Sequence, residues 1–363
     1  MKTNRRYDID WLRVIAIGLL LLYHIAIVFQ PWATFIGFIR SDELLEGLWK
    51  PMTMLNVWRI PFLFYVSGMG VFFAIRKRNW KQLLSERARR ILLPFVFGFA
   101  AITPLHILLF QKYYHMPLSY YPHAGHLWFL GNIFAYVVVL SPLFFRMKKS
   151  ADSKWVKGLA RIMRNPLGPL SVTVFFIAEI MLVKPQLFAM YAETWHGFFL
   201  GLLAFFFGFV FMLSGNTFWE TVRKWRWGYF ALAAVLFGVR YALYATEAPG
   251  YLMAVESNSW IFWVFGTGYT YLNRPGAVLS YLSEAAYPVY ILHMFVLYAG
   301  TMLILPTEIP AILQFVAISA FTFAGCFLIY ELVVKRVSFL RPLFGLKPRL
   351  KKEVKLISTI AEV

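Results

Sequence analysis

Ten stretches of this chain are long and apolar enough to read as membrane-spanning helices: roughly 11–30, 54–75, 91–111, 126–145, 167–183, 196–213, 228–245, 258–273, 278–304 and 311–333. A spanning helix needs about 20 mostly apolar residues, because the hydrocarbon core offers its backbone no hydrogen-bonding partner. Charged residues make up only 15% of the 363, against about 25% in an ordinary soluble domain. A soluble fold of this size cannot hide so much apolar surface. The expected fold is therefore all-α, a polytopic integral membrane protein of about ten transmembrane helices. The single cysteine, Cys326, excludes an intrachain disulfide and any cysteine-rich metal site.

A formal net charge of +19 would ordinarily raise nucleic-acid binding. Membrane proteins, however, gather Lys and Arg in their cytoplasmic loops. With the N-terminus inside and ten alternating spans, 30 of the 36 Lys and Arg fall on the inner side. The remaining six are Arg40, Lys50, Arg59, Lys112, Lys184 and Arg240. Both termini are thus expected in the cytoplasm, and no nucleic-acid partner is needed to explain the charge. The first apolar run follows a basic n-region, but it ends in Phe29-Gln30-Pro31-Trp32 without a small-residue cleavage site, so it reads as a retained signal anchor. The organisation expected is one membrane domain over 1–334 and a basic cytoplasmic tail over 335–363 lying along the lipid surface. No nucleotide-phosphate loop, dinucleotide fingerprint or zinc-protease helix motif is present.

Ionisable groups inside a span are costly, so each marks a site until shown otherwise. Arg13 and His24 are 11 residues apart, about three turns plus 20°, and share one face of the first helix. About 16–17 Å of helix axis separates them. Asp10, three residues before Arg13, is placed to pair with it. No carboxylate on that helix reaches His24, so any orienting partner must come from another helix. Arg59 enters the second span from outside, and Ser67-Gly68 permits close helix packing. Arg87 and Arg90, one turn apart, suit phosphate oxygens. His106, His115, His123 and His126 fall close together without metal-ligand spacing, so no metal is expected. His126 and Trp128 open the fourth span. The ninth carries Pro288, Tyr290 and His293. Arg240, Glu179 and Glu193 are further polar groups at or within spans, with partners that spacing alone does not identify. From residues alone, a membrane enzyme, a transporter or flippase for a glycan or lipid intermediate, and an assembly factor all stay open.

Five motifs occur in a fixed order: Arg13 followed by ten residues and His24; Pro61 to Ser67-Gly68; Arg87-x-x-Arg90-x-x-x-Pro94; His126-Leu-Trp-Phe-Leu130; and Tyr287-Pro-x-Tyr290-x-x-His293. In this order they resemble the integral-membrane acyltransferase 3 family over nearly the whole chain. Trp58-Arg59, Tyr330-Glu331 and Phe339 through Pro342-Leu-Phe are most similar to the branch that adds succinyl groups to osmoregulated periplasmic glucans. The resemblance implies a multi-pass protein of a bacterial inner membrane that moves an acyl group, succinyl or acetyl, from cytoplasmic acyl-CoA to a hydroxyl of an extracytoplasmic glycan. Acyl-CoA is then a co-substrate and no cofactor is required. It further implies that His24 is essential, as general base or acyl relay, and that Arg13 acts with it. Arg13, Arg87 and Arg90, with Arg76 in a lesser part, would meet the donor phosphates. Arg59, His126 and Trp128 are candidate oxyanion donors, Ser67 a candidate relay, and Asp10, Tyr290 and His293 candidate cavity residues.

Overall fold

The computed structural model describes residues 5–149, 153–245 and 247–348. Lys2 and the part of the expected tail from 349 to 363 lie outside the described residues. Among those residues the chain is helical throughout, with no strand. The helices are α1 (Tyr7–Ile27), α2 (Trp49–Ile75), α3 (Trp80–Tyr113), α4 (Gly125–Lys149), α5 (Lys154–Ile162), α6 (Leu167–Val183), α7 (Trp195–Leu213), α8 (Asn216–Tyr244), α9 (Gly250–Tyr271), α10 (Ala277–Ile304), α11 (Ala311–Val334) and α12 (Leu340–Leu343). All ten expected runs fall on helices. By length and composition, though, eight helices qualify as spans, or nine if one bent pair counts as a span.

Two physical causes account for the difference from ten. Between α5 and α6 the chain turns by 107°. Pro166 disfavours helical backbone before it, and Gly168 lets the two segments touch, since a Cβ there would lie 2.1 Å from the Ile162 carbonyl oxygen. The α9 segment is a full-length helix but not an apolar one: Glu256, Ser257, Asn258 and Ser259 are all buried within it. A helix walled in by other helices need not be lipid-soluble, only hydrogen-bonded. Glu256 accepts two bonds from Arg240, at 2.7 and 2.9 Å, and Asn258 accepts the Tyr65 hydroxyl at 2.7 Å.

Helix α2 forms the axis of the bundle, lying along α7 and touching α1, α4 and α9. Its Pro61 has no N–H for the Val57 carbonyl, and the Tyr191 hydroxyl donates to that oxygen instead, at 2.9 Å. The same repair recurs in α3, where Pro104 frees the Ala100 carbonyl and the Tyr120 hydroxyl donates to it at 2.8 Å. Two π-turns interrupt α3: Ala88–Leu92 lies just before Pro94, and Gly98–Ile102 contains the freed Ala100 carbonyl.

Between α2 and α7 two glycines replace side-chain packing with backbone contact. A Cβ on Gly68 would lie 1.9 Å from the Phe205 carbonyl oxygen, and one on Gly208 would lie 2.1 Å from that of Tyr65. Such small-residue crossings are a main source of helix association where lipid removes the hydrophobic drive. Gly68→Val or Gly208→Val is expected to abolish the monodisperse peak in fluorescence-detected size exclusion after detergent extraction. Gly18→Ala, with open space around it, should leave that peak unchanged.

Candidate active site

At the end of the bundle that carries Tyr7 and Ile75, a cavity of about 570 Å³ opens among α1, α2, α3, α4 and α10. Its mouth holds Arg5, Arg13, Arg87, Arg90, Arg341 and Lys347, with Glu284 the one acidic side chain in the lining. Two carboxylates just behind the mouth each hold a pair of these arginines. Asp10 meets Arg5 at 2.8 Å and Arg13 at 3.5 Å, and Glu86 meets Arg87 at 3.3 Å and Arg90 at 3.1 Å. A bound acid that orients two cations leaves the site strongly positive, which suits a ligand with several negative charges. Below the mouth the walls turn apolar, with Ile17, Leu63, Val66, Leu130 and Ile133, and Tyr290 is the lining residue nearest the far end.

Part of the wall comes from the segment expected as a tail. Phe344 and Leu346 are buried there, and Phe344 stacks edge-on against Phe97. Arg341 staples the segment down: Nε donates to the Lys347 carbonyl at 2.8 Å, Nη1 to the Lys335 carbonyl at 3.1 Å, and Nη2 lies 3.5 Å from Glu284. Gly345 turns with φ +73° and lies against Tyr287, whose ring atoms a Cβ would approach to 2.6 Å.

Beyond Tyr290 lie the imidazoles. His24 Nδ1 and His293 Nε2 are 2.8 Å apart, and His293 Nδ1 lies 2.6 Å from the Tyr290 carbonyl. A carbonyl can only accept, so His293 Nδ1 bears the hydrogen. In a neutral His293 the Nε2 is then an acceptor, and His24 Nδ1 must donate to it. Neutral His24 is left with a lone pair on Nε2. His126 is tied in the same manner: its Nε2 lies 3.1 Å from the Ile291 carbonyl and donates to it, while its Nδ1 is buried without a partner. The Tyr290 hydroxyl donates to the His126 carbonyl at 2.5 Å, so α10 and the start of α4 clasp each other in both directions.

Arg59 is only 2% exposed, yet its Nε and Nη1 have no hydrogen-bond partner. Its guanidinium lies over the Tyr23 ring at 3.8 Å, and that ring is edge-on to His24. A buried donor left unmade costs about 1–3 kcal/mol, more for a charged group. Arg59 is therefore a standing cation beside His24 with two hydrogen bonds to give.

A family model described as an acyltransferase domain, that of the acyltransferase 3 family, matches residues 6–331. The chain belongs to this family. It is a multi-pass membrane enzyme of the O-acyltransferase type. No curated protein and no solved structure matches it.

In this acyltransferase the structure gathers Arg13, Arg87 and Arg90 at one mouth, with Asp10 behind them, Tyr290 in the lining at the far end, and His293, His24 and His126 beyond it. Ser67 lines the cavity, but its hydroxyl donates to the Leu63 carbonyl at 2.8 Å. Arg76 caps α2 and is not among the lining residues, and Trp128 packs on Phe64. His126, expected as an oxyanion donor, has given its one N–H to Ile291 and offers an acceptor instead. Sequence reasoning missed Tyr23, Glu86, Arg341 and Lys347. Glu86, one turn before Arg90, was the one with a visible signal.

Gly345→Val is expected to lift residues 344–347 off the wall. In a Leu346→Cys background, maleimide labelling should rise several-fold on adding Gly345→Val, since Cys326 is buried and contributes little.

Proposed function

We propose that this acyltransferase moves an acyl group from cytoplasmic acyl-CoA to a hydroxyl of an extracytoplasmic glycan, at the inner membrane of a bacterium. The arginine-rich end faces the cytoplasm, as the concentration of Lys and Arg on that side favours. The donor phosphates sit at Arg13, Arg87 and Arg90. The pantetheine arm follows the apolar slot past Leu63 and Tyr290, and the thioester comes to rest at His24. The separation of about 16–17 Å between Arg13 and His24 suits a long, narrow arm.

The observation that carries this reading is the string His24–His293–Tyr290 carbonyl, which leaves neutral His24 with a free Nε2 beyond the far end of a polycation-mouthed cavity. His24 Nε2 takes the proton of the acceptor hydroxyl as its oxygen attacks the thioester carbon. The carbonyl oxygen gains the electron pair, facing the unpaired Nε and Nη1 of Arg59. Collapse of this adduct breaks the C–S bond, and the thiolate takes the proton back from His24. An ester and free CoA are the products, with no net proton released. Ser67 has a carbonyl rather than a base as its partner, which favours direct transfer over a serine relay. The resemblance to the glucan-succinylating branch favours a succinyl donor over acetyl.

The test uses inside-out vesicles, radiolabelled acetyl-CoA and succinyl-CoA in parallel, and label counted in the glycan fraction. His24→Ala is expected to lower transfer by about 10²–10⁴-fold. Arg59→Ala should lower turnover by about 10²–10³-fold, with the donor KM nearly unchanged. Arg13→Ala should instead raise the donor KM. Normal transfer by His24→Ala would refute the mechanism, and wild-type vesicles that move glycan without consuming thioester would refute the activity.

A further inference from the structure

Five of the seven histidines form one continuous file. Ring centroids are 5.0 Å apart from His24 to His293, 4.8 Å from His293 to His126, 6.0 Å from His126 to His106 and 5.4 Å from His106 to His123. The members come from α1, α10, the start of α4, α3 and the connection between α3 and α4. The file therefore runs from the reactive imidazole to the end of the bundle opposite the arginine-rich mouth. Its inner members are deeply placed, with His293 fully buried and His106 only 3% exposed, whereas His123 is half-buried in a connecting segment.

Such a file invites comparison with a proton wire, and the hydrogen bonds argue against one. A wire needs each imidazole to pass its proton to the next. Here His293 gives its Nδ1 proton to the Tyr290 carbonyl and His126 gives its Nε2 proton to the Ile291 carbonyl. Both protons end on backbone oxygens that cannot relay them. A metal site is disfavoured too, because the rings follow one another in a line, and among the described residues no group of His, Cys, Asp and Glu converges as metal ligands do.

What the file does present is unused nitrogen. His126 Nδ1, His106 Nδ1 and His123 Nε2 are all buried atoms with no partner. His126 Nδ1 is an acceptor by elimination, on a ring tied through Nε2 to the Ile291 carbonyl, in a residue whose own backbone carbonyl takes the Tyr290 hydroxyl. Burial also holds the His123 imidazole below its usual range, which favours its neutral, lone-pair-bearing form. The natural complement of an imidazole acceptor is an O–H donor.

We infer that this file is the acceptor track, and that His126 Nδ1 is the docking point for one hydroxyl of a polyhydroxylated acceptor whose neighbouring hydroxyl is thereby delivered to His24 Nε2. This deepens the proposed acyl transfer and rests on it. A 1,2-diol with a hydrogen bond at each end spans roughly 8 Å, and the single ring of His293 separates His24 from His126. The ligand class is a carbohydrate or other vicinal polyol, approaching from the end of His123, and a lone alcohol would forfeit the His126 bond. His126 is a specificity-determining residue, distinct from the oxyanion stabilisation assigned to Arg59.

The experiment uses the full chain in nanodiscs, with methyl β-D-glucopyranoside as polyol probe and 1-propanol as mono-ol, and both KM values measured against succinyl-CoA and acetyl-CoA. His126→Phe keeps a ring but removes the acceptor. His126→Gln can donate its amide to Ile291 and accept with its oxygen. The expected result is an acceptor KM for the glucoside raised about tenfold in His126→Phe and largely restored in His126→Gln. The acyl-CoA KM should move less than twofold, and the preference for glucoside over propanol should be lost only in the Phe variant. An unchanged glucoside KM in His126→Phe means the nitrogen holds only water and overturns the inference. Equal rises in both KM values, or no rescue by Gln, mean a packing role and overturn it likewise. A binding measurement separates this failure from that of the activity itself. Glucoside-induced thermal stabilisation lost in His126→Phe, in a protein that transfers no acyl group, would sustain the polyol site and sink the acyl-transfer reading. No stabilisation and no transfer would sink both.

Discussion

An imidazole in a membrane bundle is a usable base only if its second nitrogen is tied off, and that constraint organises the centre of this protein. His24 has one lone pair to offer because its Nδ1–H donates to His293, and His293 accepts because its own Nδ1–H donates to the Tyr290 carbonyl. The string begins at a backbone atom, the one kind of partner whose role cannot reverse. Remove the carbonyl and both rings are free to exchange tautomers, and the direction of the base is lost. In the proposed mechanism the packing of α10 against α1 and α4 serves the chemistry directly, since a rotation of α10 would move the carbonyls of Tyr290 and Ile291 together.

Two buried arginines make the difference between structure and chemistry visible. Arg240 and Arg59 are each 2% exposed. Arg240 gives two bonds to Glu256 and one to the Thr53 carbonyl at 3.2 Å, and so locks α8, α9 and α2. Arg59 lies on the face of Tyr23, and its Nε and Nη1 meet no acceptor among the described residues. The histidines divide the same way. His196 sits with Nδ1 3.0 Å from both oxygens of Glu179 and Nε2 2.9 Å from the Phe188 carbonyl. It is saturated and joins α6 to α7. His126 is anchored by one nitrogen and idle at the other. Buried polar groups that are fully paired specify the fold, and those left unpaired against a fixed frame await a ligand.

The sequence made one half of the site legible and hid the other. Arg13 and His24 lie on one helix, so 3.6-residue periodicity places them on one face without further knowledge. Arg87 and Arg90 are a turn apart and equally readable. His293 meets His24 across 269 residues, and no local period carries that information. The count by length and composition, eight or nine among the described residues against the ten expected, differs for a related reason. Hydropathy tests whether a helix can face lipid, whereas α9 faces other helices, and the bend before α6 depends on Gly168 lying against Ile162. The tail misled for a third reason: its basic composition reads as surface, while Phe344, Gly345 and Leu346 close a cavity wall.

The two ends of the site follow from one asymmetry. At the mouth, cations are held by carboxylates that remain partly solvated, so an arriving polyanion displaces water rather than a salt bridge, and the arginines stay paired either way. Among the described residues the inner imidazoles, His24, His293 and His126, bond to one another or to carbonyls, and a carboxylate, Glu193, acts only on the outermost, His123; neutral groups suffice for a neutral, hydroxyl-bearing partner. A charged track there would require desolvating ions for each approach of the acceptor. In the proposed mechanism Arg59 is the exception, set beside the carbonyl on which charge would develop. The free cation at the junction and the neutral imidazoles beyond it are thus one arrangement, which reserves charge for the atom that changes charge.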